Sequence, residues 1–222
     1  MDKYHIDAEG DGTEHDHLGS SFLTPLREDA FAMTDDLKIE LIEKHFREIM
    51  HILGLDLTDD SLQGTPHRVA KMYVKEVFRG LNPHNKPAAK LFLNRFGYNQ
   101  MLVERDITLY SYCEHHFVPI IGKAHVAYIP EKHVVGLSKL NRIVQYYAHR
   151  PQVQERLTMQ IAEELKSMLF TENVAVYIEA DHLCVMSRGV HDVSSSTITT
   201  EYAGLFQQEQ YRNEFLSYIH KR

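Results

Sequence analysis

The chain of 222 residues is 43% hydrophobic and carries a formal net charge of −7. That is enough apolar material for one large domain, or a domain with a helical appendage, without cross-links. The acidic balance argues against general nucleic-acid binding, which requires a basic surface, and still allows local Arg and Lys clusters to hold a small anion.

No apolar run approaches the roughly 20 residues that span a bilayer, and no apolar h-region follows Met1. The expectation is a cytoplasmic protein with no membrane partner. Its two cysteines each have a histidine close by, which in a reducing compartment points to ligands rather than a cross-link.

Residues 1–33 are polar, with Gly10, Gly12, Gly19 and the run Glu14-His15-Asp16-His17, and show no sustained period. They predict a flexible or loosely docked N-terminal arm. From Thr34 the pattern changes. Leu37, Leu41, Ile42, His45, Phe46, Ile49, Met50 and Leu53 recur at three-and-four spacing, an amphipathic helix capped by Thr34 or Asp35 and stopped by Gly54. A second helix opens at Thr65-Pro66 and ends at Gly80, burying Val69, Met72, Tyr73, Val77 and Phe78. These two helices and a connection through Pro83 and Pro87 make an N-terminal helical part over 34–100.

The remainder, 101–222, reads as the catalytic domain. Strands are predicted over Met101–Ser111 and Gly122–Ile129, the latter closed by Pro130. A short helix capped by Ser138 carries Leu140, Ile143, Val144 and Tyr147. Arg150-Pro151 breaks it and starts a longer helix with Val153, Leu157, Ile161, Leu165 and Met168 on one side. The β-branched runs Asn173–Ala180 and Ser194–Tyr202 are strands, and Gln207–Arg222 is a final short helix. Two strands, two helices and two strands predict an α+β fold, an antiparallel sheet with helices on one face.

Chemistry concentrates in Ser111-Tyr112-Cys113-Glu114-His115-His116-Phe117 and in Asp181-His182-Leu183-Cys184. Cys113, His116 and Cys184 are three ligands suited to Zn²⁺, with a fourth tetrahedral position left for water. The same spacing fits a structural zinc completed by His115 or His182, or two buried thiols with no metal. His115 and His182 are placed either to pass protons or to orient the ligands. Ser138, Lys139 and Arg142 gather anion donors at a helix start, with Arg188, Arg68 and Lys71 as further cations or as solvated surface charge. Glu155, beside Gln154, offers a carboxylate to a guanine-like edge or is a first-turn acid favoured by the helix dipole.

Taken together, Cys113-Glu114-His115-His116, Gly136-Leu137-Ser138-Lys139, Arg142, Arg150-Pro151-Gln152-Val153-Gln154-Glu155-Arg156-Leu157 and His182-Leu183-Cys184 resemble the motifs of GTP cyclohydrolase I in order. Thr65-Pro66-His67-Arg68-Val69-Ala70-Lys71-Met72 belongs to the resemblance, which runs from about Thr34 to Phe206.

The resemblance implies a T-fold assembled as a toroidal homodecamer with active sites at subunit interfaces. It implies conversion of GTP and water to 7,8-dihydroneopterin triphosphate and formate, the first step of folate or pterin synthesis. Cys113, His116 and Cys184 would bind zinc, and His115, His182 and Ser138 would serve catalysis. Lys139, Arg142, Arg188, Arg68 and Lys71, with Ser138, would hold the triphosphate, and Glu155 with Gln154 the guanine edge. Two further readings stand beside it: a relative using Cys113 as a nucleophile on another purine-like substrate, and an inactive, zinc-stabilised nucleotide-binding ring.

Overall fold

The computed structural model describes residues 21–88 and 90–220. Most of the expected arm, including Glu14-His15-Asp16-His17, lies outside the described residues.

Helix α1 spans Asp35–Ile52. Thr34 is extended and its Oγ1 accepts from the Leu37 N–H at 3.3 Å, while Asp35 and Asp36 sit in the first turn, where the helix dipole favours negative charge. Gly54, at φ +83°, takes the left-handed conformation that ends the helix. Of the apolar stripe, Met50 alone is buried; Leu41 and Ile49 stay largely exposed. Periodicity marks a face as apolar but does not say what covers it.

A single turn, α2 (Asp60–Gln63), leads into α3 (Thr65–Met72), where Gly64 takes the cap position and Thr65 is the first helical residue. The helix continues as expected toward Gly80, but over Tyr73–Val77 it widens into a π-helical turn. Tyr73 and Phe78 thereby pack on each other at 5.3 Å, and both meet Phe117, at 6.3 Å and 5.0 Å.

Gly80 joins this helical part to the rest of the chain. Its N–H donates to His149 O at 2.9 Å and its carbonyl accepts from Arg150 Nε at 2.8 Å. A Cβ there would overlap the Tyr146 carbonyl. The Arg150 guanidinium lies 4.5 Å from both the Tyr146 and Tyr147 rings and donates to Thr24 Oγ1 at 3.3 Å.

The strands follow the expected order, with three short ones added. β1 (Leu91–Leu93) pairs with β4 (His133–Val135) apart from the main sheet. That sheet contains β2 (Leu102–Cys113), β3 (Pro119–Tyr128), β5 (Pro151–Gln152), β6 (Val174–His182) and β7 (Thr197–Tyr202), in the spatial order β5-β2-β3-β6-β7. All its pairs are antiparallel except the brief parallel contact of β5 with Tyr112 and Cys113 of β2. Asp106, at φ +58°, marks a bulge where the β2–β3 register shifts.

Alternation sorts the sheet into two faces. Leu109, Val126, Val176 and Ile178 pack against α4 (Leu137–Ala148) and α5 (Gln154–Leu169), which supply Leu140, Val144, Leu157, Ile161 and Leu165. Each of these fully buried leucines is worth about 2–3 kcal/mol relative to exposure. On the other face Ala127, Ile129, Ala175 and Tyr177 meet Phe206 and Phe215, the latter on α7 (Glu209–His220). The α+β expectation holds, with the two long helices on one face and the terminal helix added on the other. The start of α4 differs in detail: Gly136 is the cap, and Ser138 sits exposed within the first turn.

Candidate metal centre and its surroundings

The loop between β2 and β3 carries the first half of the site. Cys113 N–H donates to Val118 O and Phe117 N–H to Cys113 O, both at 2.9 Å, closing a tight turn over Glu114, His115 and His116. Phe117 accommodates the turn at φ +54°. The second half comes from the end of β6. Because Ile120 on β3 pairs with His182 on β6, the chain entering α6 (Leu183–Met186) brings Cys184 to the mouth of the hairpin.

Antiparallel pairing therefore brings together residues far apart in sequence. The ligand atoms of Cys113, His116 and Cys184 all lie within 4.8 Å of one another, with Cys113 Sγ 3.9 Å from His116 Nδ1. This Cys-His-Cys group could hold a metal ion. Burial, and then the charge and hydrogen bond of Cys113, push the Cys184 thiol above its ordinary range, a strain that a bound cation would relieve.

Two further histidines flank the group. His115 Nδ1 is 3.7 Å from Cys113 Sγ. His182 Nε2 is 2.7 Å from Gln154 Oε1; burial lowers its pKa, partly offset by Glu155 and Asp181. Arg188 reaches the group too, its NH1 2.7 Å from His116 Nε2. Glu155 is exposed at the first turn of α5, close enough for its charge to act on His182.

Gln154 is 1% exposed and bound internally. Its Nε2 donates to Thr197 O at 2.9 Å, Thr199 Oγ1 at 3.1 Å and Ile178 O at 3.3 Å.

Ser138, Lys139 and Arg142 are not brought to the metal group within one chain. α4 runs along β2, with Asn141 Nδ2 donating to Glu104 Oε1 at 2.9 Å and Gln145 Nε2 to Thr108 O. Ser138, Lys139 and Arg142 consequently sit beside the Glu104 end of β2. The strand from Glu104 to Cys113 is about 30 Å long. Arg68 is engaged locally, donating to Thr65 Oγ1 at 2.9 Å and Ser61 O at 3.2 Å, and Lys71 is exposed on the same helix.

Residues not singled out from the sequence stand behind the hairpin. Arg156 is 4% exposed and its NH2 is paired with Glu114 Oε2; its Nε donates to Gln152 Oε1 at 3.0 Å. The signal was the four-residue spacing of Gln152, Arg156 and Gln160, a polar row on the same side as buried Leu157 and Ile161.

Residues 42–220 match the GTP cyclohydrolase I family. GTP cyclohydrolase 1 of Flavobacterium johnsoniae is 60% identical over 203 residues, covering 91% of this chain and 91% of that protein. The GTP cyclohydrolase 1 of Salmonella gallinarum is 54% identical over 204 residues, covering 91% and 92%. That of Escherichia coli K12 is 55% identical over 194 residues, covering 87% of each. Among solved structures, the archaeosine synthase QueF-Like in the apo form overlaps 48% of this chain and 94% of that one, at 18% identity and a TM-score of 0.39. With a family match over most of its length, relatives above half identity and a Cys-His-Cys group at the mouth of its central hairpin, this chain belongs to the GTP cyclohydrolase I family.

Proposed function

We infer that the chain opens the guanine imidazole ring of GTP at C8, releases formate and rearranges the ribose to give 7,8-dihydroneopterin triphosphate. The observation that carries this reading is the convergence of Cys113, His116 and Cys184 with His115 and His182 in a chain of this family.

Zn²⁺ is the ion we assign to the group. Bond lengths of about 2.3 Å to sulfur and about 2.0 Å to nitrogen at a tetrahedral angle separate the two donors by about 3.5 Å, near the 3.9 Å between Cys113 Sγ and His116 Nδ1. The ion would supply a hydrolytic nucleophile at neutral pH by acidifying water.

The chain's own residues do the rest. Glu155, facing outward at the start of α5, accepts from the N–H groups of the guanine edge. His182, held at Nε2 by Gln154, and His115, beside the ligands, exchange protons with the opening imidazole and then the ribose. Arg188, already at the group, takes the nearest phosphate oxygens, and Arg68 and Lys71 add charge.

Ser138, Lys139 and Arg142 are assigned to the triphosphate of a neighbouring copy, since they lie at the far end of β2 from their own metal group. Support for assembly, with the toroidal decamer as our reading, comes from the surface. β7 is an edge strand with Ile198 exposed, β2 pairs with β5 only through Tyr112 and Cys113, and α1 leaves apolar residues uncovered. Among the described residues no helix is long and apolar enough to cross a membrane. Two free thiols at a metal group fit a reducing cytoplasm.

The test is incubation of zinc-replete protein with GTP, following pterin absorbance and formate together beside a chelated sample. Equal formate and pterin, both lost on chelation, are expected. Neither product from protein shown to hold zinc would overturn the reading.

A further inference from the structure

A continuous polar chain runs through the protein interior from the N-terminal segment to the metal hairpin. Gln160 Nε2 donates to the backbone carbonyl of Phe22 at 2.8 Å. Gln152 Nε2 donates to Gln160 Oε1 at 3.1 Å and to Tyr147 O at 2.9 Å. Arg156 Nε donates to Gln152 Oε1, and its NH2 is bound to Glu114 Oε2 and to Pro151 O at 3.2 Å. Glu114 Oε1, the other carboxylate oxygen, lies 3.8 Å from His115 Nε2.

The orientation of each amide in this chain is determined by its neighbours. Gln152 faces carbonyl acceptors with its nitrogen and a guanidinium with its oxygen, so turning it over would set donor against donor. Gln160 is constrained the same way, by the Phe22 carbonyl on one side and the Gln152 nitrogen on the other. Gln152, Arg156 and Gln160 are 0%, 4% and 5% exposed, so water does not substitute for a lost partner without cost. The Glu114 backbone is tied in as well, its N–H donating to Gln152 O at 3.0 Å.

We propose that Glu114 and Arg156 are positioning residues for His115, and that Gln152, Gln160 and the Phe22 carbonyl fix the pair from behind. A buried ion pair adds little to stability over well-packed apolar side chains of the same volume. What this pair does provide is a fixed carboxylate whose second oxygen lies 3.8 Å from Nε2 of a half-exposed imidazole, on the side away from the Cys113 sulfur that faces its Nδ1. The proposal rests on the proton role assigned to His115 above.

The test compares Glu114→Gln, Gln160→Met, the double variant and His115→Ala, each in the full-length chain, for kcat, KM for GTP, bound zinc and thermal unfolding. Glu114→Gln is isosteric and is expected to lower kcat about 10- to 100-fold, by analogy with the partners that orient metal-ligating histidines. KM and zinc content should stay within about two-fold of the parent. Gln160→Met, which touches neither metal ligand nor His115, is expected to lower kcat about three-fold, and the double variant to fall no further than Glu114→Gln alone.

A normal kcat in Glu114→Gln beside a collapsed His115→Ala overturns the positioning role and leaves the proposed reaction standing. Zinc lost in proportion to kcat reduces the pair to a structural one and also overturns it. Normal turnover in both Glu114→Gln and His115→Ala removes the proton role of His115 and the proposal with it. Should Glu114→Gln fail to fold, an unchanged kcat in Gln160→Met overturns the chain on its own.

Discussion

His182 Nε2 lies 2.7 Å from Gln154 Oε1, and the Gln154 nitrogen on the other side is engaged by Thr197 O, Thr199 Oγ1 and Ile178 O. Since the amide nitrogen faces only acceptors, its oxygen must face the histidine, and His182 donates from Nε2. In the proposed reaction its Nδ1 is then the atom that takes or gives the proton. Replacing Gln154 by Leu removes that orientation. Steady-state kinetics should show kcat reduced about ten-fold with KM little changed. A raised KM at normal kcat would instead put the Gln154 side chain on the substrate.

Metal retention separates the ligands from their neighbours. Cys184→Ser is expected to lose bound metal and turnover together, whereas His115→Ala should keep its metal and lose only turnover. Elemental analysis alongside the GTP assay checks both. A fully active, metal-free Cys184→Ser protein would remove the metal from the mechanism.

Stability should depend on two interior histidines. Burial is the largest influence on both His125 and His149 and depresses their pKa values, so the folded chain binds fewer protons than the unfolded one as acid is added. Their contribution is fully present above the unfolded value of about 6.5 and is lost as pH falls from there toward their lower folded values. Urea unfolding across pH 7.5 to 5 should show a decreasing midpoint. Replacing His149 by Gln, which cannot take up the proton, should flatten the curve.

At Gly80 an added methyl meets the Tyr146 carbonyl backbone, which cannot rotate aside. Gly80→Ala is expected to cost about 1–3 kcal/mol, measured by chemical denaturation. A neutral result would mean that the helical part shifts on α4 without penalty.

Assembly is open to a single charge. Ile198 is exposed on the edge strand β7, and a lysine there is a common device against edge pairing. Ile198→Lys should shift sedimentation toward smaller species and lower turnover in step.

Much of this architecture was legible because it is local. Thr34 and Gly54 bracket α1, Pro130 closes β3, and the apolar spacing from Leu157 to Leu165 announces α5. What escaped is set by distant partners. The three-residue strands β1 and β4 exist only through each other, and no period is visible in so few residues. Cys113, His116 and Cys184 were legible as candidate ligands from residue type, and their convergence is supplied by the pairing of Ile120 with His182. The spacing of Gln152, Arg156 and Gln160 hints that Arg156 faces inward, but its partner Glu114 is supplied by the fold. Where Ser138 sits relative to the metal group was not legible for the same reason, since the direction in which α4 crosses β2 cannot be read from spacing.

That direction has a genetic consequence. If one copy lends Ser138, Lys139 and Arg142 to the metal group of the next, two dead alleles can rescue each other. Cys184→Ser spoils a subunit's own metal group and Lys139→Ala spoils only what it lends, so a mixed ring regains working sites wherever an intact half meets an intact half. Co-expressed in equal amounts and assembled at random, the pair should recover about a quarter of parental turnover from two inactive parents.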